Sequence, residues 1–263
     1  MEIKDIYKAK KDPFVDVIMT NYNKGQYIEE AISSVVNQEF KNWNLIIIDN
    51  FSQDNSKKIL DKFGTSIHNV NIIFLSKNKG VSFSRNLGMR LSKSKYISFM
   101  DADDYWSSKK LKDQINFMEK FKHDFTYTDY VPFISNEDEK IFKKSVIVRD
   151  SFNFKQFIND TSIATSSMII TREIVGNIKY PKIKSLEDYC FKCKILKKVD
   201  NAVKFDQKTM FYRITKKSLS SNKLSNLYWL WKINKSYNKL NVLENLKSLL
   251  LVSLSSIRRY GFK

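Results

Sequence analysis

The sequence predicts an α/β fold, a mostly parallel sheet flanked by helices, continued by a basic helical C-terminal extension. Three observations carry this. Short apolar runs rich in β-branched residues alternate with helix-period segments over about 100 residues. Each run stops abruptly in polar residues, and the excess of bases over acids collects at the far end of the chain. With 263 residues, 42% hydrophobic and 14% aromatic, the chain can bury a real core, which excludes a disordered tail or a fibrous repeat. One large domain, or a domain with an appendage, suits that length.

Val15 to Met19 reads as a buried strand that ends in the polar loop Thr20-Asn21-Tyr22-Asn23-Lys24-Gly25. Tyr27, Ile28, Ala31, Ile32, Val35 and Val36 recur at helical spacing, and Leu45 to Ile48 forms a second strand that stops at Asp49. Ser56 to Phe63 suits a helix, Val70 to Leu75 a third strand, and Ser82 to Leu91 a helix entered through Asn78-Lys79-Gly80. Tyr96 to Met100 is a fourth strand ending at Asp101-Ala102-Asp103-Asp104. In sheets of this kind ligands sit beyond the carboxyl ends of the strands. Thr20, Tyr22, Asp49 and Asp101 to Asp104 all fall there, so three strands would deliver them to one crevice.

Beyond Trp106 the alternation weakens. Leu111, Ile115, Met118 and Phe121 suggest a helix, Phe125 to Phe133 an aromatic strand, and Ser166 to Thr171 another strand before Arg172 to Val175. Pro181 precedes Glu187-Asp188 and a helix through Leu196. Tyr228 to Ile257 is largely helical in pattern, with Leu243, Leu246, Leu250, Leu254 and Ile257 three or four residues apart. That helix either lies on an anionic bilayer or packs on the sheet.

Residues 1–106 carry a net +2, residues 107–207 +5, and residues 208–263 +11, the last from twelve bases and one acid, Glu244. Such a tail is drawn to an anionic surface: lipid head groups, nucleic acid or an acidic polymer. The start, MEIKDIYKAKKDPF, is too polar for a signal peptide, and apolar runs such as Leu249 to Val252 are far short of a spanning helix. Cys190 and Cys193 form a lone C-x-x-C with only two histidines in the chain, which reads as two reduced residues on adjacent helical turns.

Side chains two apart on an extended strand point to one side, so Asp101 and Asp103 can face one cavity. Two such carboxylates repel unless a cation separates them, and Mg²⁺ or Mn²⁺ is often bound by one or two carboxylates plus substrate phosphates. A solvated turn capping the next helix is the competing role for these acids.

Four blocks occur in order: Thr20-x-Tyr22-Asn23, Ile47-Ile48-Asp49-Asn50-x-Ser52-x-Asp54, Asn78-Lys79-Gly80-x4-Arg85-Asn86-x-Gly88, and Asp101-x-Asp103-Asp104. In this the chain resembles glycosyltransferase family 2, the inverting sugar-nucleotide transferases with the Rossmann-like GT-A fold, strongly over residues 14–125 and more thinly to about residue 200. The absence of G-x-G-x-x-G argues against a dinucleotide dehydrogenase.

The resemblance implies a role for each position. Thr20, Tyr22 and the Asp49-Asn50 turn would hold nucleobase and ribose, with Arg85 reaching the nucleotide; Asp101 and Ala102 would lie near the ribose and metal; Asp103 would ligate a Mn²⁺ or Mg²⁺ bridging the two phosphates. The family often has two acids where this chain has Asp49-Asn50, and Asn50 both donates and accepts where a carboxylate only accepts. A UDP-sugar is the favoured donor. Leu186-Glu187-Asp188-Tyr189 matches the acidic residue that the family places as base for the acceptor hydroxyl, and Asp188 is the expected catalytic base. Residues 1–106 would form the nucleotide-sugar-binding half, 107–207 the acceptor half and 208–263 the basic tail. Acceptor contacts are expected between 125 and 185, including Tyr127, Asp129 and Thr165 to Met168.

A lipid-linked glycan acceptor, used in polysaccharide assembly at the cytoplasmic, inner face of the cell membrane, fits the basic tail; nucleic acid is not an expected partner. Two other readings compete. A nucleotidyltransferase making sugar nucleotides would need a Gly-rich, basic loop after the first strand, and Asn23-Lys24-Gly25 is too little. A non-enzymatic nucleic-acid binder would use Trp229, Trp231 and Tyr237 between lysines as stacking platforms, a pattern that equally suits a membrane interface.

Overall fold

The structure is a computed structural model that describes residues 14–136, 139–215 and 223–260. In chain order the elements are β1 Val15–Asn21, α1 Ile28–Val36, β2 Trp43–Asp49, α2 Ser56–Ser66, β3 Val70–Phe74, α3 Val81–Leu91 and β4 Tyr96–Asp101. Then follow β5 Tyr105–Trp106, α4 Lys110–Phe121, β6 Phe125–Ser135, β7 Lys140–Phe142, β8 Ser151–Phe152, α5 Phe154–Phe157, β9 Ile169–Thr171 and α6 Arg172–Val175. The last are α7 Glu187–Leu196, β10 Ala202–Arg213, α8 Lys223–Ile233 and α9 Val242–Tyr260, with a turn of π-helix, Asn234–Asn238, closing α8.

The strands form one sheet in the order β3-β2-β1-β4-β9-β6-β10-β5, with β7 on β6 and β8 on β10. The first four are mutually parallel, and β9 runs antiparallel to both β4 and β6. Alternation along β2 shows why its run is wholly apolar. Leu45 and Ile47 join the cluster with Ala31, Ile32 and Leu60, while Ile46 and Ile48 join Leu87 on the other face, so both faces are covered. Gly88 lets α3 lie close on β1: a Cβ there would sit 2.4 Å from Ile18 Cγ2.

The register is what builds the site. Thr20 pairs with Asp101 and Asn21 with Asp49, so three strands finish at one level.

Two elements differ from the sequence expectation. Over Ser166 to Thr171 the strand shrinks to β9, preceded by a 3-10 turn at Thr165–Ser167. The carbonyls of Ser166 and Ser167 accept from the Trp106 indole and from Lys110 and Gln114, leaving them no strand partner. β10, which periodicity did not mark, has register shifts between Phe205, Lys208 and Met210 that break its alternation. It also runs across the boundary between 207 and 208, where the basic tail was expected to begin.

Helix α9 has an inverted surface. Asn245 and Ser248 are buried, bonded to the carbonyls of Trp231 and Ile158, whereas Leu243, Leu246, Leu250 and Leu254 are 79, 52, 61 and 45% exposed. The helix does pack on the domain, through a flank that carries Asn245, Ser248, Leu249 and Val252, and turns Leu243, Leu246, Leu250 and Leu254 outward. Among the described residues no helix is long and apolar enough to cross a membrane. Cys190 and Cys193 are free thiols buried on α7, and burial pushes Cys193 up to about 12.

Candidate active site

Asp49 closes β2 and is consumed by its surroundings. Asn21 Nδ2 and Ser52 Oγ donate to its Oδ2 at 2.7 Å each, and the Ser52 amide donates to Oδ1 at 3.0 Å. Asn50 acts as a strut between loops: its Nδ2 donates to Asn78 Oδ1 at 2.9 Å, and its Oδ1 accepts from the Lys79 amide at 2.8 Å. A carboxylate could not make the first of these bonds. Gly80 then turns the chain into α3 at φ 83°, the left-handed region that glycine enters without steric cost. Tyr22 stands 46% exposed beside these loops.

Arg85 projects from α3 and is buried. Its guanidinium donates to Asp101 Oδ1 at 2.7 Å and to Glu187 Oε1 at 2.9 Å, and lies 5.2 Å from the Tyr180 ring centre. Burial would lower its pKa, but Asp101, with Tyr180 and Glu187, outweighs that and raises it. Glu187 moves upward from the ordinary glutamate value, since burial outweighs the Arg85 charge.

The turn after β4 sorts its acids. Asp103 is partly buried and paired with Lys24, Nζ to Oδ2 at 2.5 Å. Asp104 points inward, accepting from Ser166 Oγ at 2.6 Å and from the Arg213 amide at 3.1 Å. Burial, then the charges of Asp103 and Asp101, push Asp104 well above the usual carboxylate range. Arg213 also donates to the Asp103 carbonyl at 2.8 Å and pairs with Glu30, so β10 latches the turn to α1. Ala102 is buried between the two aspartates.

Asp188 lies in the first turn of α7. Lys192, one turn on and buried, donates to its Oδ2 at 2.7 Å and to the Ile163 carbonyl at 2.7 Å, and Thr165 Oγ1 reaches the same Oδ2 at 3.2 Å. Burial alone would raise Asp188; Lys192 and Arg85 overcome it and hold the carboxyl below its ordinary range.

The Thr165–Ser167 turn joins the two acidic groups. Thr165 bonds Asp188, while the adjacent Ser166 accepts from the Asp101 amide at 3.1 Å and donates to Asp104. The turn thereby ties Asp188 to the Asp101–Asp104 segment, Arg85 bonds Asp101 from α3, and Thr20 is paired with Asp101 in the sheet. Tyr127 and Asp129, expected among the acceptor contacts, bond the Arg149 carbonyl and the Val148 amide instead. Lys24, Lys192 and Arg213 were not legible as site residues, and Glu187 entered only as the neighbour of Asp188 in the Leu186–Tyr189 match. Lys192 alone carried a local signal, its spacing of four from Asp188 on one helix.

Among the described residues no cluster of three or more metal-ligating side chains occurs. Asp103 Oδ1 and Asp101 Oδ2 are left over from the two ion pairs, a set of hard oxygen donors suited to Mn²⁺ or Mg²⁺ when substrate phosphates supply further ligands.

Known proteins share both sequence and fold. The profile of glycosyl transferase family 2 matches residues 16–178. The chain is 32% identical to the Escherichia coli UDP-Glc:alpha-D-GlcNAc-diphosphoundecaprenol beta-1,3-glucosyltransferase WfaP, over 81% of this chain and 82% of that protein. The fold matches S. aureus TarS 1–349 in complex with UDP, with a TM-score of 0.69 at 19% identity over 95% of this chain and 72% of the other. It also matches the Pyrobaculum calidifontis mannosyltransferase PcManGT in complex with GDP-Man and Mn²⁺, with a TM-score of 0.67 at 13% identity over 99% and 81%.

Proposed function

The chain belongs to glycosyl transferase family 2 and is a glycosyltransferase of GT-A fold; from that premise we propose that it transfers a sugar from a nucleoside-diphosphate sugar to a glycan hydroxyl with inversion. The reading rests above all on the Thr165–Ser167 turn, which fixes Asp188 on one side and the Asp101–Asp104 turn on the other. Donor and acceptor chemistry thereby meet across a single gap.

In this reading Thr20, Tyr22 and the Asp49-Asn50 turn border the base and ribose subsite, with Asp101 and Ala102 next to the ribose. Arg85 does not extend freely toward the nucleotide. It fixes Asp101 and Glu187, and its buried charge acts through them. Asp103, with Asp101 nearby, would hold the Mn²⁺ or Mg²⁺ beside the diphosphate. A divalent ion bound there would neutralise charge growing on the departing nucleoside diphosphate.

Asp188 accepts the proton of the attacking hydroxyl. Its carboxylate is kept ionised, so it is ready as an acceptor at neutral pH but weak as a base. Proton transfer consequently completes late, once the new C–O bond has made the hydroxyl acidic. Inversion follows from a single displacement, with the base on the face opposite the leaving group.

UDP is the favoured nucleotide, a choice supported by the UDP complex of TarS, and the acceptor is a lipid-linked glycan, supported by the diphosphoundecaprenol-linked acceptor of WfaP. The outward leucines of α9 and the +11 of the tail hold the enzyme on the inner, anionic face of a membrane. Residues 1–106 act as the donor half, 107–207 as the acceptor half.

The decisive experiment is thermal stabilisation by nucleoside diphosphates with Mn²⁺. UDP with Mn²⁺ should raise the melting temperature of the wild type and leave Asp103→Asn unmoved. Equal stabilisation by GDP would overturn the UDP assignment, and none by any nucleoside diphosphate would overturn the whole reading.

A further inference from the structure

The loop between α6 and α7 meets α8 along a groove of about 590 Å³, lined among others by Lys182, Lys184, Lys232, Trp229, Ile233 and Tyr237. Three ammonium groups surround an apolar and aromatic floor, and none of the three forms an ion pair with a described carboxylate. Lys232 instead lies 5.0 Å from the Trp229 ring centre and 5.9 Å from that of Tyr228. Uncompensated like charges around a concavity mark a place for an anion.

The walls are built. At one end Ser82 Oγ of α3 donates to the Pro181 carbonyl at 2.8 Å, and Asn86 exchanges two bonds of 2.9 Å with the Tyr180 backbone. At the other, Tyr189 Oη of α7 donates to Asn234 Oδ1 at 2.6 Å, fixing the end of α8. Both anchors lead toward the proposed catalytic residues: α3 carries Arg85, and only Ser185, Leu186 and Glu187 separate Lys184 from Asp188. Beyond the groove, α8 exposes Leu224 and Tyr228, 81 and 58% accessible, next to Lys232.

We propose that this groove binds the diphosphate of a polyprenyl-diphosphate-linked acceptor. The three lysines would take the phosphates, Trp229 and Tyr237 the first isoprene units, and the Leu224–Tyr228 edge would face the lipid. Two negative phosphates next to several carbons of hydrocarbon match a groove that is cationic at its rim and aromatic at its base. The inference rests on the lipid-linked acceptor proposed above and gives it a position: the sugar carried by the diphosphate would extend past Lys184 toward Asp188.

The test uses the full chain and farnesyl diphosphate, with binding followed by Trp fluorescence, against farnesol and inorganic pyrophosphate. Farnesyl diphosphate should bind at least about tenfold more tightly than either fragment. Replacing Lys182, Lys184 and Lys232 by Gln, all three exposed in the fold, should weaken farnesyl diphosphate about tenfold or more while leaving stabilisation by UDP with Mn²⁺ unchanged. Farnesol binding as tightly as farnesyl diphosphate, or an unaltered affinity in the triple variant, would overturn the proposal. Flotation with phosphatidylcholine vesicles containing phosphatidylglycerol separates the sources: loss of vesicle binding in the triple variant with farnesyl diphosphate affinity intact would assign the lysines to bilayer head groups and overturn it too. Loss of the UDP response in the wild type would instead count against the donor site, independently of the groove.

Discussion

Lys24 places its ammonium 2.5 Å from the Asp103 carboxylate, so the loop after the first strand reaches across to the turn after the fourth. A divalent ion at Asp103 has to compete with that pair. A partly exposed ion pair is worth roughly 1 kcal/mol or less. Lys24→Met should accordingly lower the Mn²⁺ concentration giving half-maximal UDP stabilisation by about fivefold or less; a rise would mean that the lysine assists the metal or the phosphates.

Asp188→Asn should leave UDP and Mn²⁺ binding intact and reduce kcat by about 100-fold or more, the usual weight of a positioned base. Lys192→Met tests the tuning. Removing the buried ammonium takes away the first charge that holds Asp188 low, so the acidic limb of the kcat/KM profile should move to higher pH. An unshifted limb would remove Lys192 from any role in catalysis.

Arg85 separates two carboxylates that would otherwise face each other across a buried gap. Arg85→Met should destabilise the fold by about 3–5 kcal/mol in chemical denaturation, as expected when one partner of a buried ion pair is deleted. Arg85→Lys should recover only part of this, because a lysine cannot donate in parallel to Asp101 and Glu187 at the observed geometry.

How much of this was visible beforehand follows a physical divide. The parallel half reads directly because its apolar runs, turn residues and strand-end acids are local signals, and the Thr165–Ser167 turn links Asp188 to the Asp101–Asp104 segment. The partners of those acids were hidden. Lys24 and Arg213 meet the Asp103–Asp104 turn from 79 and 110 residues away, and nothing in a linear pattern encodes such a meeting. Tyr127 was expected among the acceptor contacts from its place in the chain, but its hydroxyl donates to the Arg149 carbonyl. The helical stripe at Leu243 to Leu254 was legible, whereas its direction depended on Asn245 and Ser248 finding buried partners.

Lys110 gives the fold a pH signature. It is fully buried, and burial lowers its pKa to about 7 from the model-peptide value near 10.5. The unfolded chain then binds more protons than the native one between those values, so this residue makes stability rise with pH from about 7 to about 10.5, at no more than about 1.4 kcal/mol per pH unit. Denaturant midpoints at pH 7 and pH 9 should differ more in the wild type than in Lys110→Met, where this contribution is gone.

The leucines of α9 offer the cleanest test of membrane attachment. Serine at Leu246, Leu250 and Leu254 should abolish flotation with phosphatidylglycerol-containing vesicles while leaving the melting temperature the same or higher, since those side chains are exposed in the fold. Unchanged flotation would assign attachment to charge alone.

The position of β4 in the sheet carries a consequence for synthesis. One edge of β4 pairs with β1, which is already made, while the other waits for β9, about 70 residues further along the chain. A ribosome-bound chain that has just completed the aspartate turn thus presents an open, apolar strand edge, the kind of surface that recruits other chains. The nascent protein should be most dependent on chaperones during that interval. Slowing translation between Asp101 and Ile169 should lower soluble yield more than slowing it anywhere after β9.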